Sequence, residues 1–278
     1  MGLTTERGVV LGKALRNDRF VAAAGLLGVA VLAWFYLWIE AGRMGAVSDS
    51  MGSMGEMHGS TEAMDGTGIA AEPWRVGSLA LTFLMWSVMM VAMMLPSAMP
   101  AMVLYGSIVR KNRDAGSVLP STWIFATGYL SIWTGFGLAA AILQAALDSS
   151  GLLTPMMSSA SPLLTGGFLV LAGVYQWLPF KDASLQKCRE PMTFFLMRWR
   201  AGAAGAFRMG AEHGLYCVGC CWALMLLLFT AGVMNLLWVA LIAAYILGEK
   251  LFPKGRLIGR LAGAAICTVG VGTIIVSP

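Results

Sequence analysis

The chain has 278 residues, 58% hydrophobic and only 12% charged, with a formal net charge of +5. A soluble domain carries roughly 25% charged residues, so this composition excludes one and points to a polytopic membrane protein. The positive balance does not indicate a nucleic-acid partner, because the basic residues gather in alternate segments between apolar runs.

Seven apolar runs are expected to cross the bilayer as helices, at roughly 20–39, 76–104, 119–147, 162–180, 209–233, 236–252 and 257–276. The expected fold class is all-α, a polytopic membrane helix bundle forming a single membrane domain over 1–278. With the N-terminus inside, 17 of the 19 basic residues fall in inner segments, and only Arg43 and Arg75 lie outside. The positive-inside rule therefore gives an N-in, C-out topology. The first run is too long for a signal-peptide core and lacks a small-residue cleavage site, so it is expected to remain as an anchor. The expected location is the bacterial cytoplasmic (inner) membrane, as a multi-pass protein.

Residues 41–75 form the one long outer loop. It carries Met44, Met51, Met54, Met57, His58 and Met64 among glycine, serine and acidic residues. With no apolar periodicity it is expected to be flexible. Thioether sulfur is soft and uncharged and selects Cu(I) over Zn, Mg or Ca, so Met51, Met54, Met57 and His58 are candidate ligands. The alternative is a low-complexity linker.

The second run is dense in methionine. Met85, Met89 and Met93 repeat every four residues, and Met90 and Met94 make a neighbouring row. Methionine is also ordinary filler between helices. Pro96 and Pro100 are expected to break or kink this helix and free backbone carbonyls, a common way of building an ion site. Further along, 181–208 is the most basic inner segment, and Phe194–Arg200 within it reads as an interfacial amphipathic helix. Gly202, Gly205, Gly263, Gly270 and Gly272 read as close helix packing.

The most specific stretch is Glu212-His213-Gly214-Leu215-Tyr216-Cys217-Val218-Gly219-Cys220-Cys221-Trp222. On a helix His213, Cys217 and Cys220 share one face, with Cys221 at its edge. Imidazole and thiolates bind copper, zinc or iron. The alternative is that small buried cysteines pack as hydrophobes. Glu212 is a candidate partner for His213 or a proton acceptor, with an interfacial carboxylate paired with Arg208 as the plain alternative; Glu249, beside Lys250, is a candidate for ion passage, with a snorkelling interfacial charge as its alternative. Cys188 is placed in an inner loop and Cys267 in the last span, and reduced thiols are expected throughout.

The pattern Met85-Trp86…Ala92-Met93-Met94-Leu95-Pro96…Pro100, followed by Tyr216-Cys217-Val218-Gly219-Cys220-Cys221-Trp222-Ala223-Leu224-Met225, resembles the bacterial family of predicted metal-binding integral membrane proteins. The resemblance covers roughly residues 79–252 and implies a membrane metal protein, without supplying a reaction. The 44–64 methionines do not belong to that pattern.

The expected function is binding of copper, as Cu(I), for transfer, uptake or insertion, with zinc or iron as lesser alternatives. The expected ligands are Met51, Met54, Met57 and His58 outside, Met85, Met89 and Met93 midway, and His213, Cys217, Cys220 and Cys221 at the centre. Expected partners are the lipid bilayer and a copper chaperone or copper-enzyme subunits. No nucleotide-binding motif is present, which argues against ATP-driven pumping. Two rival readings are a membrane thiol or metal redox enzyme and an accessory subunit of a larger copper enzyme.

Overall fold

The computed structural model describes residues 21–43, 76–111, 118–154 and 157–276. Met51, Met54, Met57 and His58 lie outside the described residues. In an apolar medium a backbone must satisfy its own N–H and C=O groups, and helices do so within one segment. The described residues accordingly form ten helices: α1 (Val21–Arg43), α2 (Val76–Lys111), α3 (Val118–Ser149), α4 (Pro162–Tyr175), α5 (Pro179–Arg189), α6 (Pro191–Arg198), α7 (Gly202–Met225), α8 (Leu228–Ala231), α9 (Leu236–Leu251) and α10 (Gly255–Val276). Five spans are long and apolar enough to cross a membrane: α1, α2, α3, α7 continued through α8, and α10. A sixth is added if α4 and α5, bent by 65° to one another, count as one span. The remaining apolar run, α9, has 16 residues. That is about 24 Å of helix, short of a full hydrocarbon core.

Leu81, Leu163, Leu237, Leu261 and Ile275 are exposed on outer faces, an apolar exterior of the kind lipid covers. Polar groups sit inside instead: Gln144, Gln176, Lys181, His213, Glu249 and Lys250 are buried.

Contrary to the expected break, α2 runs as one helix through Pro96 and Pro100. Pro96 has no N–H to give the Ala92 carbonyl, and Trp34 Nε1 of α1 donates to that oxygen at 3.0 Å. The indole replaces the missing backbone bond, so the helix has no need to open there.

Two close approaches set the core. A Cβ on Gly210 of α7 would lie 3.1 Å from Tyr129 N of α3, and one on Gly214 would lie 3.1 Å from Tyr129 O. These glycines let α3 and α7 touch backbone to backbone, which carries Tyr129 into the middle of the bundle. The pair α4 and α10 meets likewise: a Cβ on Gly173 would lie 2.7 Å from Gly263 O, and one on Gly263 2.9 Å from Gly173 O. Gly272, read from sequence as a packing residue, faces open space, and at Gly202 (φ 82°), which opens α7, a Cβ would likewise meet nothing within 4 Å.

The segment 181–208 forms α5, α6 and the start of α7. In α6, Phe194 and Phe195 are buried while Met192, Leu196 and Met197 are exposed. Arg189 donates to the carbonyls of Phe252 (2.6 Å) and Pro253 (3.0 Å), and Arg260 pairs with Asp182 at 3.2 Å. The α9–α10 turn is thereby tied to α5, at the end of the bundle where the basic residues collect.

Candidate metal centre

Two helices bring three sulfurs together. Cys217 and Cys220 lie one turn apart on α7 and Cys188 lies in the last turn of α5, and their Sγ atoms all fall within 4.8 Å of one another. All five cysteines of the chain are free thiols. The approach of α5 to α7 depends on Gly219, where a Cβ would sit 2.9 Å from Ser184 Oγ. The Tyr175 hydroxyl donates to the Gly219 carbonyl from the end of α4. On α5 the stripe Lys181, Ser184, Leu185, Cys188 follows helical spacing; its first three members are buried and Cys188 is half-buried.

Cys217 is the most heavily contacted of the three. Lys250 Nζ of α9 donates to its Sγ at 2.9 Å and to Ser97 Oγ of α2 at 2.9 Å. The Tyr129 hydroxyl lies 3.0 Å from the same sulfur and 3.3 Å from the Met94 carbonyl, to which it can donate. Cys220 and Cys221 each donate their S–H to the Cys217 carbonyl at 3.0 Å. A buried ammonium needs an anionic partner. Of the two groups that accept a hydrogen bond from Lys250 Nζ among the described residues, the Cys217 sulfur is the one that can supply negative charge.

Beside this pair lies a second one. Lys181 of α5 donates to Glu249 Oε1 of α9 and to Gln176 Oε1, and both charged side chains are buried. Glu249 and Lys250 are consecutive, so one turn of α9 engages α5 through its carboxylate and α7 through its ammonium.

The other sequence candidates fall as follows. His213 is buried one turn before Cys217, outside the sulfur trio, with ring centres of Phe125, Tyr129 and Phe194 at 6.1, 5.9 and 6.0 Å. Its Nδ1 has no hydrogen-bond partner among the described residues. Cys221 turns to the Cys217 carbonyl and is not one of the trio. Glu212 pairs with Arg198 (3.6 Å) and Arg200 (3.4 Å), where the sequence offered Arg208. Met85, Met89 and Met93 are all buried on α2.

Cys188, Lys250, Tyr129 and Ser97 are the residues that sequence reasoning missed. Cys188, placed by sequence in a loop, is helical and belongs to the trio. The signal was the 181/184/185/188 spacing behind Pro179, hidden because the segment reads as a basic surface.

A helix bundle with an apolar exterior and three clustered thiols beside a buried ammonium falls in the class of membrane proteins that could hold a soft metal ion. A protein-family model described as PpoB2, copper chaperone, matches residues 83–273. That span covers most of the chain and includes every residue of the sulfur site, and the chain belongs to this family. Comparison with characterised proteins and with solved structures gave no match.

Proposed function

We propose that this chain carries Cu(I) as cargo inside the bacterial cytoplasmic membrane and hands it to a copper protein. The observation behind the proposal is the Cys188–Cys217–Cys220 trio, drawn from two helices and packed against Lys250. Soft thiolates select Cu(I) over harder ions. Charge balance points the same way: one Cu(I), two thiolates and one ammonium sum to zero, the least costly total in a water-poor interior. His213, one turn away with an unpartnered nitrogen, and Cys221 are reserve donors as the ion moves. Glu212 and Glu249 act through Arg198, Arg200 and Lys181 and do not touch the ion. Met51, Met54, Met57 and His58 gather the ion on the outer side, and Met85, Met89 and Met93 stand between that loop and the thiols. On this reading the bent α4–α5 pair and the short α9 are crossings too, which makes seven, N-in and C-out, with the basic end in the cytoplasm.

Metal analysis with X-ray absorption on the protein in detergent tests this. Bound copper with sulfur neighbours is expected, and Cys217→Ser and Cys220→Ser should each lose it. Unchanged metal content in both variants would remove the assignment.

One observation favours a second reading, a thiol redox relay. Cys188 reaches Cys217 and Cys220 from another helix, which avoids the difficult geometry of a disulfide within one helical turn. A metal-free protein whose thiols titrate as a two-electron couple would favour that reading.

A further inference from the structure

We infer that Met157, in the loop between α3 and α4, is the loading ligand through which a soft monovalent cation reaches the thiols along one stripe of α2. This rests on the copper-carrying reading and narrows its methionine route: Met93 stays on the path, Met90 joins it, and Met85 and Met89 leave it.

The first observation is a buried carboxamide that is bonded at both of its ends. Gln144 of α3 is 1% exposed in an apolar bundle, a placement that costs free energy. Its oxygen accepts from Trp86 Nε1 at 2.7 Å and its nitrogen donates to Met157 Sδ at 3.1 Å. A thioether is a weak acceptor and packs well without any such bond. The effect of this chain of bonds is to aim one sulfur.

The second observation is the backbone of Met157. It is the one non-glycine residue with positive φ among those described, at 56°. That conformation is unfavourable for a side chain of this kind. The loop enforces it: Met157 N donates to Thr154 O (2.8 Å), Thr154 N to Ser158 O (2.8 Å), and Ser159 N to Phe229 O of α8 (2.8 Å). Met157 is half-buried, so the residue is both held and partly open to that end of the bundle.

The third observation is where the stripe leads. Trp86, Met90, Met93 and Ser97 follow i, i+4, i+7, i+11 and so share one face of α2. Its first member touches Gln144 and its last touches Lys250, which bonds Cys217. Met90 and Met93 lie between these fixed ends, both buried. From Trp86 to Ser97 the rise is about 16 Å, and two thioethers divide it into short steps. Met85 and Met89 turn progressively off this face. Beside Trp86, an apolar cavity of about 160 Å³ is bordered by Leu143, Phe229 and the thioether-bearing Met225. Weak neutral ligands in series suit passage, because an ion must be able to leave each of them.

The test is stopped-flow loading of the detergent-solubilised protein with Cu(I) supplied as a weak acetonitrile complex, read by near-ultraviolet thiolate–Cu(I) absorption. Met157→Gly keeps the left-handed backbone and deletes the sulfur; Met157→Leu and Met90→Leu keep volume; Gln144→Leu releases the aim. Each is expected to load roughly tenfold more slowly, the scale of lost ligand orientation, and to reach the wild-type final absorbance. Met197→Leu, exposed at the other end, should load normally. Wild-type rates in the volume-conserving pair Met157→Leu and Met90→Leu would overturn the path while leaving the thiol site standing. A wild-type protein that takes up no Cu(I) would overturn both.

Discussion

On the copper-carrying proposal, Lys250 would decide what the sulfur site can hold. An ammonium 2.9 Å from Cys217 Sγ is a resident positive charge, and it offsets the negative charge that builds up as thiolates gather around a cation. A divalent ion in the same two-thiolate setting would leave an excess positive charge in a low-dielectric interior. Lys250→Met is therefore expected to weaken Cu(I) retention by about 10–100-fold, the usual range for losing a group that supports metal ligands. Lys250→Arg keeps the charge but presents a planar fork in place of a point charge, so partial recovery is expected. Competition against a Cu(I) chelator measures both. Equal affinity in wild type and Lys250→Met would show that the ammonium only fills space. Neither Lys250 nor Tyr129 was legible in the sequence as part of the site. A lysine near the end of an apolar run reads as a snorkelling charge, and nothing local says that its ammonium turns inward to another helix.

The element that completes the site is α5. It is short and bent by 65° from α4, and it is held against α9 by the buried Lys181–Glu249 pair. Removing one partner of such a pair leaves an uncompensated charge and costs about 3–5 kcal/mol, whereas replacing both by apolar groups is often close to neutral. Glu249→Leu alone should thus lower the unfolding midpoint strongly, and Lys181→Met with Glu249→Leu should recover most of the loss. Unfolding in a detergent series, with Cys188 alkylation as a second readout, checks this. The double variant is expected to fold yet expose Cys188 to alkylation, because the apolar pair no longer fixes α5 in register. Equal loss in single and double variants would mean that the pair is not coupled. The contrast between α5 and α7 shows what sequence can carry. His213, Cys217, Cys220 and Cys221 were visible because one helix displays its ligands at fixed spacing. Cys188 was not, because its place depends on a bend at Pro179 and on a close approach allowed by Gly219. The continuity of α2 was hidden for a similar reason: Pro96 announces a lost hydrogen bond, but the Trp34 donor that replaces it comes from a distant residue.

At the scale of the whole molecule, composition made the all-helical, lipid-facing architecture legible, since long apolar runs have few alternatives in a bilayer. The number of crossings was less so, because α4 and α9 are apolar but short, and length alone cannot say whether they traverse or re-enter. Charge gives the orientation. Lys187, Arg189, Arg198, Arg200, Lys254, Arg256 and Arg260 all lie at the α5–α6 end, while the α3–α4 loop at the opposite end has no basic residue among its described positions. By the positive-inside rule, such an asymmetry predicts a cytoplasmic basic end. With that orientation the proposed stripe on α2 would run from an outward-facing Met157 to thiols nearer the cytoplasmic side, where half-buried Cys188 would be the sulfur closest to an acceptor. The prediction is concrete. Ser150→Cys, exposed beside the α3–α4 loop, should react with a membrane-impermeant maleimide on intact cells; Lys254→Cys, exposed in the α9–α10 turn, should react only after the cells are opened. The native thiols are buried or half-buried and give a low background. The reverse labelling pattern would invert the bundle and make Met157 the cytoplasmic end of the path. The same sites would then serve export, because neither the thioether stripe nor the thiol trio has a preferred direction of its own, and the side from which the ion arrives is set by how the charges orient the chain.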